Sequence, residues 1–262
     1  MSPPTLYSLN PATKQVTTVH SFPSGGGNLF GIGEYGDEVF VVVAGTNLWT
    51  VDFRESPPDI KNSVSVNEAQ MLNGVTKLHD EAVLIAESGR GTVWRLETNA
   101  GNAVIAQQLP EQASPPGGFA IGVNGVRVRD GYLYWTNTNG RAFYRVQIDA
   151  ETGTASEGAA VEKIAEFDVI VDDFAFDEAG NAYIATANAN TVLRVAPDGS
   201  VSTLIGSISE LTVAGATAAK FGRRPEDQDI LYVVTNGGQT GPVNGVTEGG
   251  KVVAVNTSTD AA

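Results

Sequence analysis

A five-residue pattern of alternating polar and apolar positions recurs six times along the chain. The copies are Thr5–Leu9 (TLYSL), Asn47–Val51 (NLWTV), Thr92–Leu96 (TVWRL), Ala142–Val146 (AFYRV), Thr191–Val195 (TVLRV) and Lys251–Val255 (KVVAV). Alternation at every second position is the mark of a strand with one buried face. The central residues Tyr7, Trp49, Trp94, Tyr144, Leu193 and Val253 are about 42, 45, 50, 49 and 60 residues apart, close to the length of one propeller blade.

Each of the last five copies follows an almost uninterrupted apolar run: Glu38–Val43, Ala82–Ala86, Tyr132–Thr136, Ala182–Thr186 and Ile230–Thr235. Such runs predict strands covered on both faces. A third pattern precedes them, at Leu29–Gly33, Asn73–Leu78, Asn124–Val128, Asp172–Phe176 and, more weakly, Ala216–Phe221. A fourth closes the unit at Gln15–Phe22, Asp59–Val66, Ala103–Leu109, Val161–Phe167 and Ser200–Gly206. Four antiparallel strands per repeat, arranged radially, make a propeller blade. The chain is therefore predicted to be all-β, a single β-propeller domain over residues 1–262 with a pocket at one end of its central channel.

The repeats do not count evenly. The N-terminus supplies only the two outer strands of a unit, and the C-terminus only the first three. Two closures are compatible with this. One is a six-bladed ring whose first blade lacks its two inner strands, with those strands expected upstream. The other is a five-bladed ring in which Gln15–Phe22 completes the last blade. The six copies of the third strand favour the first closure, and an open ring would expose strand edges.

Composition narrows the partners. The net charge of −14 would repel a phosphate backbone and an anionic bilayer, so neither nucleic acid nor membrane is an expected partner. The absence of cysteine removes disulfides, thiol nucleophiles and thiolate metal sites. No apolar stretch is long enough to span a bilayer, and the first residues lack the pattern of a signal peptide. A soluble protein is expected, with its location and oligomeric state open. The G-x-G-x-x-G at Gly31–Gly36 leads into a strand instead of a helix and is not a dinucleotide fingerprint. His20 and His79 lie on separate repeats, His79 in a turn, and form no zinc-protease pair.

Asn73, Asn124 and Asp172 hold equivalent places in three successive repeats, so their side chains should converge on the propeller axis. The competing reading of Asn73-Gly74 and Asn124-Gly125 is a pair of tight turns. Asp172 and Asp173 are adjacent carboxylates, of which Asp172 is expected to face inward; if both do, repulsion raises one pKa. The ends of the apolar runs offer a second ring of candidates for substrate binding: Glu87, Asn137, Thr186 and Thr235, with Asn188 and Asn236 beside them and Trp135 as an aromatic wall.

The segments at Asn73–Val75, Asn124–Asn137 and Asp172–Tyr183 resemble the gluconolactonase/regucalcin-like six-bladed propellers. Pro115–Gly118, Ala214–Thr217 and Pro242–Val255 are similar to a fungal natural-product branch of that superfamily, which includes hetero-Diels–Alderases and often carries secretory signals. This resemblance covers nearly the whole chain. For the lactonase branch it implies a divalent metal, Ca or Zn, held by a Glu, two Asn and an Asp. Asn73, Asn124 and Asp172 match three of these ligands, and the Glu has no counterpart. The first expectation is accordingly a metal-independent hetero-Diels–Alderase without cofactor, with Asn73, Asn124, Asp172 and Asp173 as the catalytic set. It would hold a quinone-methide-type heterodiene and an alkene. The alternatives are a metal-dependent lactonase and a non-catalytic binding module.

Overall fold

The computed structural model describes residues 3–23, 27–117 and 120–258. Gly118, the last residue of the Pro115–Gly118 segment, lies outside them.

Among the described residues, twenty-one strands form six antiparallel sheets. The first two, β1 (Thr5–Leu9) and β2 (Val16–Ser21), make a two-stranded sheet. Four complete blades follow, each a run of four consecutive strands. The first holds β3 (Leu29–Gly36), β4 (Val39–Ala44), β5 (Asn47–Asp52) and β6 (Asp59–Ser65). The second holds β7 (Leu72–His79), β8 (Ala82–Glu87), β9 (Thr92–Glu97) and β10 (Asn102–Gln107). The third holds β11 (Val123–Arg129), β12 (Tyr132–Asn137), β13 (Ala142–Gln147) and β14 (Glu162–Glu166), and a short 3₁₀ turn, Pro110–Gln112, precedes it. The fourth holds β15 (Phe174–Phe176), β16 (Ala182–Thr186), β17 (Thr191–Val195) and β18 (Val201–Gly206). The fifth blade has three strands: β19 (Ala216–Phe221), β20 (Ile230–Thr235) and β21 (Val252–Asn256).

Five blades thus surround the axis, the count of the second closure, and the six-bladed count is corrected. The physical reason lies at the N-terminus. Thr5–Leu9 has the outer-strand pattern, and among the described residues it pairs with β2 alone. Gln15–Phe22 does not complete the last blade either, since β2 pairs β1 and β21 pairs β20.

The hydrophobic core is divided among the seams between blades. Val41, Leu48 and Leu72 pack with Ile85 and Leu96 between the first and second blades. Leu84 and Val93 meet Val126, Leu133 and Trp135 in the next seam. Phe143 and Phe167 meet Phe174 and Ile184 in the third, and Tyr183 and Val192 meet Leu231 and Val233 in the fourth. The β1–β2 sheet packs through Leu6 and Phe22 on Val42, Ala44 and Trp49 of the first blade.

The innermost strands touch around the axis because glycine stands where they cross. A Cβ on Gly31 would lie 2.1 Å from the Asn73 carbonyl oxygen, and one on Gly74 would lie 2.5 Å from that of Asn124. On Gly125 it would lie 2.3 Å from Asp173 Oδ1. Asn73-Gly74 and Asn124-Gly125 are therefore not turns. They lie inside β7 and β11, where the glycine admits the neighbouring strand and the asparagine is held at the axis.

Candidate functional site

Asn124 and Asp172 meet. Asn124 is buried, and its Nδ2 donates to Asp172 Oδ1 at 2.8 Å and to Thr138 Oγ1 at 2.9 Å. Its Oδ1 is buried without a partner among the described residues. Asp172 precedes β15 and is fixed by its own backbone, whose N–H donates to the Ala185 carbonyl and whose carbonyl accepts from Thr136 Oγ1 at 2.6 Å. Burial and then the charge of Asp173 push its carboxyl up to about 7, against a smaller lowering by Asn124. Only a minor part of the side chain is reached by water. That upward shift favours the protonated carboxylic acid, which can donate a hydrogen bond.

Asp173 lies in the other direction, as expected for adjacent residues of an extended chain. Its Oδ2 accepts from Arg127 Nη2 at 2.9 Å and its Oδ1 from the Phe174 N–H. Arg127 also lies over the Phe174 ring, 5.3 Å from its centroid. Asp173 is thus a paired carboxylate rather than a free base. Asn73 stands on β7, the neighbouring inner strand, half-buried, with Nδ2 donating to Ser88 Oγ at 3.2 Å. Ser88 Oγ in turn donates to the Val123 carbonyl.

The second ring of candidates has a different role. Glu87 is fully buried, and its carboxylate accepts from the backbone N–H groups of Gln70, Met71, Gly89 and Arg90. Asn137 holds the Glu111 and Ala113 carbonyls and the Gly140 N–H. Thr186 binds the backbone of Thr191, and Thr235 that of Lys251. Asn236 caps the Gly238 and Gln239 N–H groups, and Asn188 is exposed. Trp135 is a core residue stacked on Tyr144, its Nε1 donating to the Glu111 carbonyl. The structure does not gather these seven residues with Asn124 and Asp172. The polar ends of the second strands tie down the loops that follow, because each buried loop N–H and C=O needs a partner.

The missed residues stand one place further on. Ser88 follows Glu87 and holds Asn73; Thr138 follows Asn137 and holds Asn124. The matched pairs Glu87-Ser88 and Asn137-Thr138 were the available signal. Arg127, on β11 and paired with Asp173, carried no signal beyond charge inside an apolar pattern.

Among the described residues, the axial donor set is smaller than the usual shell of a hard divalent cation. A hard cation takes six to eight oxygens, carboxylates prominent among them. Here there are one carboxyl and two amides, and Asn124 turns its Nδ2 toward Asp172, so its Oδ1 points away from that carboxyl. Among the described residues no group of three His, Asp or Glu side chains gathers for a metal. Among the described residues no helix is long and apolar enough to cross a membrane.

The fold and the axial acid–amide pair define a β-propeller with a polar site at the meeting of its inner strands. Residues 2–237 match the family described as SMP-30/Gluconolactonase/LRE-like region, and the chain belongs to that family. It is similar to a putative hetero-Diels-Alderase from Phoma sp, 27% identical, with 85% of this chain and 73% of the relative covered. A second relative, the putative hetero-Diels-Alderase asR5 of Sarocladium schorii, is 29% identical over 55% of this chain and 39% of its own length. This chain therefore spans well under half of that relative. Among solved structures, the calcium-binding protein regucalcin of Agrobacterium tumefaciens superposes with a TM-score of 0.63 at 17% identity, covering 88% of this chain and 74% of that one. The luciferin-regenerating enzyme does so with a TM-score of 0.65 at 15% identity, covering 90% and 78%. At these identities the structures bear on the fold alone.

Proposed function

We propose that this chain is a small-molecule enzyme of natural-product biosynthesis, a hetero-Diels–Alderase that joins an α,β-unsaturated carbonyl of the quinone-methide type to an alkene. The observation that carries the proposal is the part-buried Asp172–Asn124 pair on the axis, whose carboxyl is pushed up to about 7. The names of the two relatives support the same reading.

The reaction forms one C–C and one C–O bond from six electrons, with no atom gained or lost. It needs no nucleophile, base or redox partner. Catalysis then rests on two effects. Holding diene and alkene in a near-attack geometry supplies up to ~7–11 kcal/mol. A hydrogen bond to the heterodiene carbonyl stabilises the negative charge that builds on its oxygen. Asp172 is suited to that donor role. Its Oδ1 already accepts from Asn124, which leaves the second oxygen to carry the proton. Asn73, anchored by Ser88, lines the same crossing from β7. Arg127 keeps the Asp173 charge compensated, so the acid next door is not surrounded by free negative charge.

The test is to generate an o-quinone methide in the presence of an alkene and follow the rate and enantiomeric excess of the adduct. Wild type should accelerate adduct formation and bias its handedness, and Asp172→Ala should lower the rate ten- to a hundredfold. A racemic product at the uncatalysed rate would overturn the proposal. Hydrolysis of an aldonolactone that requires Ca²⁺ or Zn²⁺ and is lost in Asp172→Ala would replace it with the lactonase reading.

A further inference from the structure

A cavity of about 370 Å³ opens between the third and fourth blades, at the end of the propeller away from the axial pair. Asn124 stands at the start of β11 and Arg129 at its end, so the length of that strand separates the two places. Two ties between the blades build the cavity. Arg129 crosses from β11 and donates to the carbonyls of Asp177 and Glu178, in the β15–β16 turn, at 2.6 and 2.8 Å. Its guanidinium also lies over the Phe176 ring, 5.2 Å from the centroid. Further out, the β17–β18 turn comes against β14 at Gly199, where a Cβ would lie 2.6 Å from the Ile164 carbonyl oxygen. Glycine therefore lets the fourth blade close the outer wall.

The space between these ties has apolar walls, with Phe143, Phe176, Ala182 and Val195 among them, and one phenol, Tyr134. The Tyr134 ring sits edge-on to Phe176 at 4.9 Å and stacked on Phe143 at 6.0 Å. Its hydroxyl accepts from Arg145 Nη1 at 3.4 Å, and among the described residues no acceptor takes its proton. A tyrosine hydroxyl set in apolar surroundings ordinarily has a partner for its O–H. Phenylalanine would make the same ring contacts, so the hydroxyl is surplus to the packing and is left beside the cavity. The cations at the rim are already paired: Arg129 with Asp130, Arg145 with Glu162 and Lys163 with Glu166. An ionic ligand would have to displace one of these carboxylates, whereas a neutral acceptor oxygen needs only the free phenol proton. The volume lies at the small end of the range of ligand pockets, roughly 300–1,000 Å³.

We infer that this cavity binds a neutral aromatic carbonyl compound of one or two fused rings. Its rings lie against Phe176, and its carbonyl oxygen accepts from the Tyr134 hydroxyl. This is a second site, separate from the Asn124–Asp172 pair, and it stands or falls independently of the cycloaddition.

Two probes with one skeleton test it: 2-acetylnaphthalene, which carries the acceptor, and 2-ethylnaphthalene, which lacks it. The amide resonances of Gly180 and Gly199, which border the cavity, are followed by NMR as each probe is titrated. Both resonances should shift saturably with the ketone in wild type. Tyr134→Phe should weaken the ketone about fivefold, the size of one neutral hydrogen bond, and leave the hydrocarbon unchanged within about twofold. Persistent hydrocarbon binding also shows that the cavity has kept its shape. Tyr144→Phe, on β13 but stacked on Trp135 outside the cavity, should change neither affinity. Absence of saturable shifts at the two glycines with the ketone, or a Tyr134→Phe variant in which both probes weaken alike or neither does, overturns the inference.

Discussion

Among the described residues, four seams between blades are filled by apolar clusters and the one between the last and first blades is not. From the β3–β6 blade round to the β19–β21 blade, each seam holds a continuous apolar cluster, and the inner strands cross within van der Waals distance at glycines. From β19 back to β3 the ring is spanned by the Arg223–Glu34 ion pair, with no apolar cluster among the described residues joining the two blades. Further out, a groove of about 1090 Å³ separates the β1–β2 sheet from β20 and β21. Its walls include Tyr7, Val16, Val234 and Val252, each more than 40% exposed. The closed side places the Asn124–Asp172 pair with little freedom, while in the other arc apolar side chains of the described residues stay exposed.

The sharpest way to break this comparison uses two adjacent residues of β3. Gly31 faces the closed seam and Ile32 the open one. Adding a methyl usually costs less than deleting a buried isoleucine side chain, but here the order should reverse. Gly31→Ala drives a Cβ to 2.1 Å from a backbone oxygen that cannot yield without moving β7. The expected loss is about 3 kcal/mol or more. Ile32→Ala should change stability by no more than about 0.5 kcal/mol, because its side chain is half exposed. Urea denaturation of both variants measures the difference. Equal losses would mean that the two arcs are equally packed.

A second, somewhat smaller effect tests the loop-holding ring. Glu87→Ala leaves four backbone N–H groups around an empty position in the closed arc, and a cost of roughly 2–4 kcal/mol is expected. Asn188→Ala, at the exposed end of an equivalent loop, should be neutral within about 0.5 kcal/mol. If Glu87→Ala instead leaves stability intact and abolishes ligand binding, Glu87 belongs to the site after all.

How much of this was legible in the sequence depends on what each residue's period reported. The alternating and apolar runs placed strands within about two residues of their observed bounds, because burial on one or two faces leaves a period-2 or continuous signature. One apolar run misled. Ile230–Thr235 reads as covered on both faces, yet Ile230, Tyr232 and Val234 line the open side. The run records hydrophobicity, while coverage depends on what stands opposite. At the site, the one-repeat spacing of Asn73, Asn124 and Asp172 was informative, since the repeat itself carries them to the axis. Glu87, Asn137, Thr186 and Thr235 shared that spacing too, and they converge on loops. Periodicity gives equivalence but not direction, and one residue's difference along a strand turns a side chain from the axis to the loop. Ser88 and Thr138 are that one residue away.

The last effect concerns the protonation of the axial acid, and its sign follows from the direction of the shift. The Asp172 carboxyl ordinarily titrates near 3.8 and in the fold is pushed up to about 7. Between these values the folded chain holds a proton that the unfolded chain has lost, so this group makes stability fall as pH rises from about 4 to 7. Its contribution is fully present below about 4 and lost above about 7. Asp172→Asn keeps the shape and removes the titration. Urea midpoints at pH 4.5, 6.0 and 7.5 should therefore diverge, with the variant gaining on wild type at each step upward. The remaining acidic residues act alike on both proteins and cancel in the difference. Cycloaddition should follow the same titration in wild type, declining above pH 7 as the donor proton is lost, while Asp172→Asn, whose amide still donates, should keep a reduced but pH-independent rate. Parallel stability curves would show that Asp172 is already ionised in the fold, and the closed arc would then hold a charge where this account requires an acid.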